Sequence, residues 1–140
     1  MKRLFDIFFS ALGIIICIPF FIIAAILVKL DSSGPVLFKQ ERIGKDFKTF
    51  KIYKFRTMKK AGEQDGPKIT IKGDNRITGT GRLLRKYKID ELPQLFNVLK
   101  GDMSIVGPRP EISEYVNLFK TAYEKLLSIR PGITDPASIC

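Results

Sequence analysis

Hydrophobic and polar positions change rhythm several times along this chain. From Ile7 to Val28 almost every residue is apolar, a run long enough to cross a bilayer as one helix. The run is too long for the apolar part of a signal peptide, and no small-residue cleavage site follows it. Hydropathy alone reads it as a single-pass anchor. Two features argue for something else. Pro19, near the middle, has no N–H to donate and a ring that kinks a helix. Lys2 and Arg3 precede the run and Lys29 follows it, so a spanning helix would leave one basic end on the wrong side of the membrane. Residues 1–30 are therefore expected to form a re-entrant helix–break–helix hairpin, with Pro19 at the break.

Gly34-Pro35 interrupts the chain next. Val36 to Gln40 and Thr49 to Arg56 read as short strands around turn residues Gly44, Lys45 and Asp46. Phe50 and Ile52 alternate with Lys51 and Lys54, as on a half-buried strand, although Tyr53 and Phe55 blur the pattern. Lys54 and Arg56 then form either a solvated face or a basic wall facing phosphates. Lys59 to Asn75 has little periodicity and reads as a mobile surface loop, a candidate lid. Thr80 to Lys88 is a basic helical segment. Beyond it the spacing turns helical again: Asp90, Gln94 and Asn97 share one face, and Leu92, Leu95, Phe96 and Leu99 the other. Pro93 suits a first turn and Gly101 the residue past a helix end, which puts Asp90 and Glu91 at a helix N-terminus, a favourable place for anions and phosphates. Arg109, between Pro108 and Pro110, is presented from a stiff extended stalk. Ser113 to Ile129 reads as one amphipathic helix, with Tyr115, Leu118, Phe119, Ala122, Leu126 and Leu127 on a side suited to core or membrane-interface packing.

Composition narrows the chemistry. At 140 residues the chain forms one domain at most beyond its apolar run. It has 24 Lys+Arg against 14 Asp+Glu, a net charge of +10 that favours phosphate-rich partners. Between Lys29 and Lys88 there are 17 basic and 6 acidic residues, so all of the excess adjoins the apolar run. Anionic headgroups attract such a surface by roughly 1 kcal/mol per nearby basic residue. The absence of His excludes Ser-His-Asp and other His-based catalysis. Cys17 and Cys140 offer neither a zinc site nor a disulfide framework, which fits a reducing cytoplasm. Catalysis must use carboxylates, Lys, Arg and a metal.

Asp90-Glu91-Leu92-Pro93-Gln94-Leu95-Phe96-Asn97-Val98-Leu99-Lys100-Gly101-Asp102-Met103-Ser104, followed by Gly107-Pro108-Arg109-Pro110, resembles the bacterial sugar transferases, small monotopic phosphoglycosyl transferases. GPVLFKQERIG, FKIYKFRTM and Arg130-Pro131-Gly132-Ile133-Thr134 extend the likeness over essentially all 140 residues. The resemblance implies an α+β, mostly helical, membrane-associated fold: a re-entrant hairpin over 1–30, then a catalytic domain over 31–140 with a short β-hairpin and amphipathic interfacial helices. It implies residence on the cytoplasmic face of the bacterial inner membrane. The family commonly has Ser before the break proline, where this chain has Ile18. Its members usually continue past the Arg130 motif, so the domain is expected to be incomplete at its C-terminal end.

The reaction so implied moves a sugar 1-phosphate from a UDP-sugar to polyprenol phosphate and releases UMP. The resemblance assigns Asp90 as nucleophile and Glu91 as its metal-binding or proton-handling neighbour. An Asp with an unperturbed pKa of about 3.9 is ionised at pH 7 and needs no base. Mg²⁺, held with Asp90 and Glu91, would screen carboxylate–diphosphate repulsion. Arg85 and Arg109 are the first candidates for phosphate contacts, followed by Lys54, Arg56, Asn97, Asp102 and Arg130; the last three could equally be caps or ion pairs. Membrane lipid is the expected partner and nucleic acid is not. The competing readings are a non-catalytic basic module on anionic lipid or nucleic acid, and a structural anchor. The first lacks a recognised nucleic-acid motif, and its acidic dyad would repel phosphates unless a metal intervened; the second gives no reason for the Asp-Glu and Pro-Arg-Pro constellation.

Overall fold

The computed structural model describes residues 1–59 and 75–135. The candidate lid lies almost wholly outside the described residues, as does Cys140.

Helix α1 runs from Lys2 to Asp31 with Pro19 inside it. It is 30 residues long, about 45 Å if straight, and is long and apolar enough to cross a membrane. The expected break is not seen, since no non-helical residue separates two halves. Proline removes one hydrogen bond from the ladder, and the bonds on either side persist where no water competes for them. The burial of α1 is more informative than its hydropathy. Asp6, Ser10, Ala24 and Val28 are buried and Arg3, Gly13, Cys17 and Phe21 half-buried, in steps of three and four along one face. Phe8, Ile15, Ile16 and Ile23 are more than half exposed. The inward stripe is mostly small or polar and the outward faces are large and apolar, as in helices whose solvent is lipid.

Both ends of this helix are tied to the rest of the chain. Near the start, Asp6 accepts hydrogen bonds from Ser104 Oγ at 2.8 Å and Ile105 N at 3.2 Å. At the other end, Asp31 accepts one from Thr80 N at 2.8 Å. Ala24 and Val28 pack with Phe55 and Leu84 in one small core, with Phe21, Val36 and Ile89 at its edge.

The expected hairpin is present. Strands β1 (Leu37–Ile43) and β2 (Thr49–Phe55) pair antiparallel, in a register that sets Leu37 against Phe55 and Ile43 against Thr49. After α2 (Gly79–Lys86) come a single 3-10 turn over Ile89–Glu91 and α3 (Gln94–Lys100). A second core joins Ile52 of β2, Val98 of α3 and Met103. Two three-residue strands that the sequence pattern does not announce, β3 (Ser104–Val106) and β4 (Gly132–Thr134), pair in parallel. Their approach depends on glycine, because a Cβ on Gly132 would lie 2.0 Å from Gly107 N. This contact fixes the Pro108-Arg109-Pro110 corner that leaves β3.

The single helix expected over Ser113–Ile129 is two short ones, α4 (Ser113–Leu118) and α5 (Lys120–Leu126), separated at Phe119 with φ −124° and ψ 40°. Nothing in the structure explains that break. Val116 and Leu127 turn inward onto Ile43, while Tyr115, Leu118, Phe119 and Leu126 of the expected apolar stripe are exposed.

Candidate active site

Asp90 and Glu91 lie on the 3-10 turn that precedes α3, one turn earlier than the sequence pattern places the helix start. The turn begins at Lys88, whose left-handed backbone (φ 58°) redirects the chain as it leaves α2. Both faces of α3 are covered, at least in part. Asp90, Gln94 and Asn97 point inward, at 8, 4 and 0 % exposure, whereas Phe96 is 42 % exposed. The apolar face of α3 meets α1: Phe96 and Phe21 ring centroids are 5.7 Å apart. The polar face can therefore line a cleft.

The two carboxylates have different environments. Glu91 is paired: Lys54 Nζ donates to its Oε1 at 3.0 Å. Burial pushes the Glu91 pKa upward, but Lys54, its hydrogen bond, Lys88 and Arg109 outweigh this and hold it below the ordinary value. Asp90 Oδ1 is buried without a hydrogen-bond partner. Burial and then the Glu91 charge push its pKa up, against the pull of Lys54, Arg85 and Lys88. The free carboxylate expected from an unperturbed Asp is thus a raised one. A neighbouring pair with divergent protonation tendencies is the usual arrangement where one carboxylate reacts and the other supports it.

Arg42, Lys54, Glu91, Gln94, Arg109 and Gly132 line a narrow cleft of about 30 Å³ beside the dyad, room for about one water. The expected residues Lys54 and Arg109 therefore belong here, with Lys54 ion-paired and not merely on a solvated strand face. Arg85 is held by a 2.8 Å bond from its Nε to Thr57 Oγ1, near enough to act on Asp90.

Four other candidates are placed differently. Arg56 does not join Lys54 in a basic wall: it is buried, and its Nη2 donates to Ser32 O at 2.6 Å and Ser32 Oγ at 2.9 Å. It clamps the exit from α1. Asn97 is fully buried and committed, accepting from Tyr53 N at 3.0 Å and donating to Lys51 O at 2.8 Å, so it stitches α3 to β2. Asp102 accepts from Asn97 Nδ2 at 3.3 Å and lies 3.8 Å from Lys100 Nζ. Arg130 Nε donates to Gly101 O at 2.8 Å, where Gly101 (φ 100°) ends α3. For Asp102 and Arg130 the ion-pair or cap alternative is the arrangement found, whereas Asn97 is neither and serves as a buried cross-link.

The sequence reading missed Arg42. Its Nε is buried without a partner, and burial, opposed by Glu111 and reinforced by Arg109, lowers its pKa. The hairpin register was the available signal, because residues 38, 40 and 42 of β1 share the strand face of Lys54.

The described residues contain no group of three or more acidic, His or Cys side chains that could hold a metal. The dyad nevertheless suits Mg²⁺, which takes one or two protein carboxylates and completes its shell with water and substrate phosphate. The orphaned Asp90 Oδ1 is the free donor atom it would use.

Comparison with known proteins follows the same lines. The family model described as bacterial sugar transferase matches residues 1–140. The chain is 45% identical, over 99% of its length, to the UDP-N-acetylgalactosamine-undecaprenyl-phosphate N-acetylgalactosaminephosphotransferase of Aeromonas hydrophila. It spans 34% of that relative. It is 47% identical to a putative undecaprenyl-phosphate N-acetylgalactosaminyl 1-phosphate transferase of Bacillus subtilis, over 86% of the chain and 67% of the relative. Against the UDP-glucose:undecaprenyl-phosphate glucose-1-phosphate transferase of Caulobacter vibrioides the identity is 42%, over 99% of the chain and 53% of the relative. The chain thus spans about a third to two thirds of these relatives.

Proposed function

Because the chain belongs to the bacterial sugar transferase family, we propose that it transfers a sugar 1-phosphate from a UDP-sugar to polyprenol phosphate, releasing UMP. The observation that carries this reading is the asymmetry of the dyad: Glu91 is occupied by Lys54, and Asp90 keeps a buried, unpartnered oxygen. In the first step an Asp90 oxygen attacks the β-phosphorus of the donor. The bond from that phosphorus to the bridging oxygen breaks, and UMP leaves with the electron pair. An oxygen of polyprenol phosphate then attacks the same phosphorus, Asp90 departs as carboxylate, and a polyprenyl diphosphate sugar is formed.

The basic residues have distinct tasks. Lys54 pairs with Glu91, holding its pKa below the ordinary value and the carboxylate apart from the reacting oxygen. Arg109 and Arg42 face the cleft and hold donor phosphate oxygens, Arg by two-point contacts. Arg85, anchored on Thr57, offsets the negative charge beside Asp90. Asp90 and Glu91 would hold Mg²⁺, which when bound withdraws charge from the phosphates and stabilises the departing UMP. A cleft of about 30 Å³ cannot enclose a nucleotide sugar, so the donor lies across its mouth.

Placement at the membrane supplies the second substrate. A helix standing across a bilayer keeps its ends on opposite sides, but Asp6 and Asp31 both bond to the same folded unit. This supports a monotopic arrangement in which both ends of α1 lie at the same face of the membrane. A nucleotide-sugar donor puts that face on the cytoplasmic side of the inner membrane. Polyprenol phosphate then reaches Asp90 by lateral diffusion. The relatives named above differ in their sugar, so the sugar is left to experiment.

The test is UMP release from a panel of UDP-sugars with undecaprenyl phosphate and Mg²⁺, combined with intact-protein mass spectrometry without acceptor. The expected result is one productive donor and an adduct of one sugar phosphate that Asp90→Asn lacks. Turnover by Asp90→Asn would overturn the covalent route, and no UMP from any donor would overturn the activity.

A further inference from the structure

A second recess lies on the other face of the β-hairpin. Tyr53 and Lys54 are neighbours on β2, so their side chains leave opposite faces of the strand. Lys54 faces the carboxylates. Tyr53 faces an open groove of about 620 Å³ lined by Leu37, Lys39, Tyr53, Phe96, Leu99 and Lys100. Two ammonium groups border the same ring: Lys39 Nζ is 5.7 Å and Lys100 Nζ 5.2 Å from the Tyr53 centroid. Lys100 also donates to Tyr53 Oη at 3.1 Å, with Asp102 3.8 Å away. Below them the floor is apolar, and its Phe96 ring lies 5.7 Å from that of Phe21 on α1. Leu37 and Phe96 are 38 and 42 % exposed.

A pair of cations above an apolar floor matches an amphiphile with an anionic head. A free phosphate would leave Leu37, Phe96 and Leu99 in water, and a zwitterionic lipid would bring its own cation against the lysines. The glycan acceptor is also a poor fit, because its phosphate must reach Asp90 on the opposite strand face. We propose that this groove seats one anionic phospholipid of the bilayer, its phosphate between Lys39 and Lys100 and its first methylenes on Leu37, Phe96 and Leu99. The seat fixes the depth and tilt of the domain and rests on the membrane placement above. The hairpin's two faces then divide the work, one toward the reaction and one toward lipid.

The chain contains no Trp, so a single introduced Trp is a clean reporter. Phe96→Trp is reconstituted in phosphatidylcholine vesicles containing equal mole fractions of either brominated phosphatidylglycerol or brominated phosphatidylcholine. Phe5→Trp, on an exposed part of α1 (56 %), reports general bilayer contact. Quenching at position 96 should favour phosphatidylglycerol, by about five-fold per lysine at roughly 1 kcal/mol each. The preference should vanish in Lys39→Gln/Lys100→Gln, and position 5 should be quenched alike by both lipids. Leu37→Trp repeats the measurement should Phe96→Trp fold poorly. Equal quenching at position 96, or a preference that survives loss of both lysines, overturns the seat while leaving the membrane placement intact. No quenching at position 5 overturns the placement and the seat together. Neither readout depends on turnover.

Discussion

Replacing Asp6 with Leu tests the docking of the membrane helix in a way hydropathy would not suggest. As a membrane segment, α1 gains from the change, since a carboxylate is among the costliest residues to leave in lipid. As a docked helix it loses two bonds to its carboxyl group, from buried Ser104 Oγ and half-buried Ile105 N. Hydrogen bonds to charged groups contribute about 1.5 to 3 kcal/mol each, and the abandoned Ser104 hydroxyl adds its own desolvation cost. The two bonds alone amount to a loss of roughly 3 to 6 kcal/mol. At about 3 °C per kcal/mol for a chain of this size, the melting temperature should fall on the order of 10 °C in lipid nanodiscs. Ser104→Ala alone should cost about 1.5 to 3 kcal/mol, and the double variant should lose clearly less than the sum, the mark of a direct interaction. An unchanged or raised melting temperature for Asp6→Leu would refute the docked N-terminus, and with it the argument that both helix ends lie on one side.

Asp90→Asn should abolish turnover without lowering the melting temperature at neutral pH. The folded-state pKa of Asp90 is raised, so its ionised form costs stability above that pKa, and the cost disappears as the pH falls through it. A destabilised Asp90→Asn in thermal melts would contradict that environment. Lys54→Gln removes a charge that holds both carboxylate pKa values down, so the acid limb of the kcat/KM profile should move to higher pH; an unmoved limb would show that Lys54 does not tune the dyad. Asn97→Ala should lower the melting temperature, at a cost of roughly 2 to 4 kcal/mol, because it strands Tyr53 N and Lys51 O. A variant of full stability but reduced donor affinity would return Asn97 to the list of substrate contacts.

The parts of this molecule legible in the sequence are those set by local rules. Alternation and turn residues mark the β1–β2 hairpin, and Gly101 marks the end of α3. The dyad and Arg109 were singled out from their motif, and Lys54, Glu91 and Arg109 line one cleft. What escaped depends on distant partners. Helical spacing separates the two faces of α3 but does not say which partner covers each, and here the apolar face meets α1 while the polar face turns toward β2. Asn97, Asp102 and Arg130 look like ligands because their polarity is visible, whereas the carbonyls and amides they serve on β2 and at Gly101 are not. Asp6 was hidden for the opposite reason: one carboxylate next to an apolar run reads as flank until Ser104 is placed beside it. The parallel β3–β4 pair is too short for periodicity, and only the Gly107–Gly132 contact reveals it.

The partnership of Asp6 and Ser104 also has a history in time. They are 98 residues apart, and ribosomes add about 5 to 20 residues per second. Roughly 5 to 20 s therefore pass between the synthesis of the carboxylate and that of its hydroxyl partner. Helix α1 is completed early in this interval, well before its acidic residue can find that partner. The bond that docks the start of the helix therefore closes late, only after the dyad and α3 have been made.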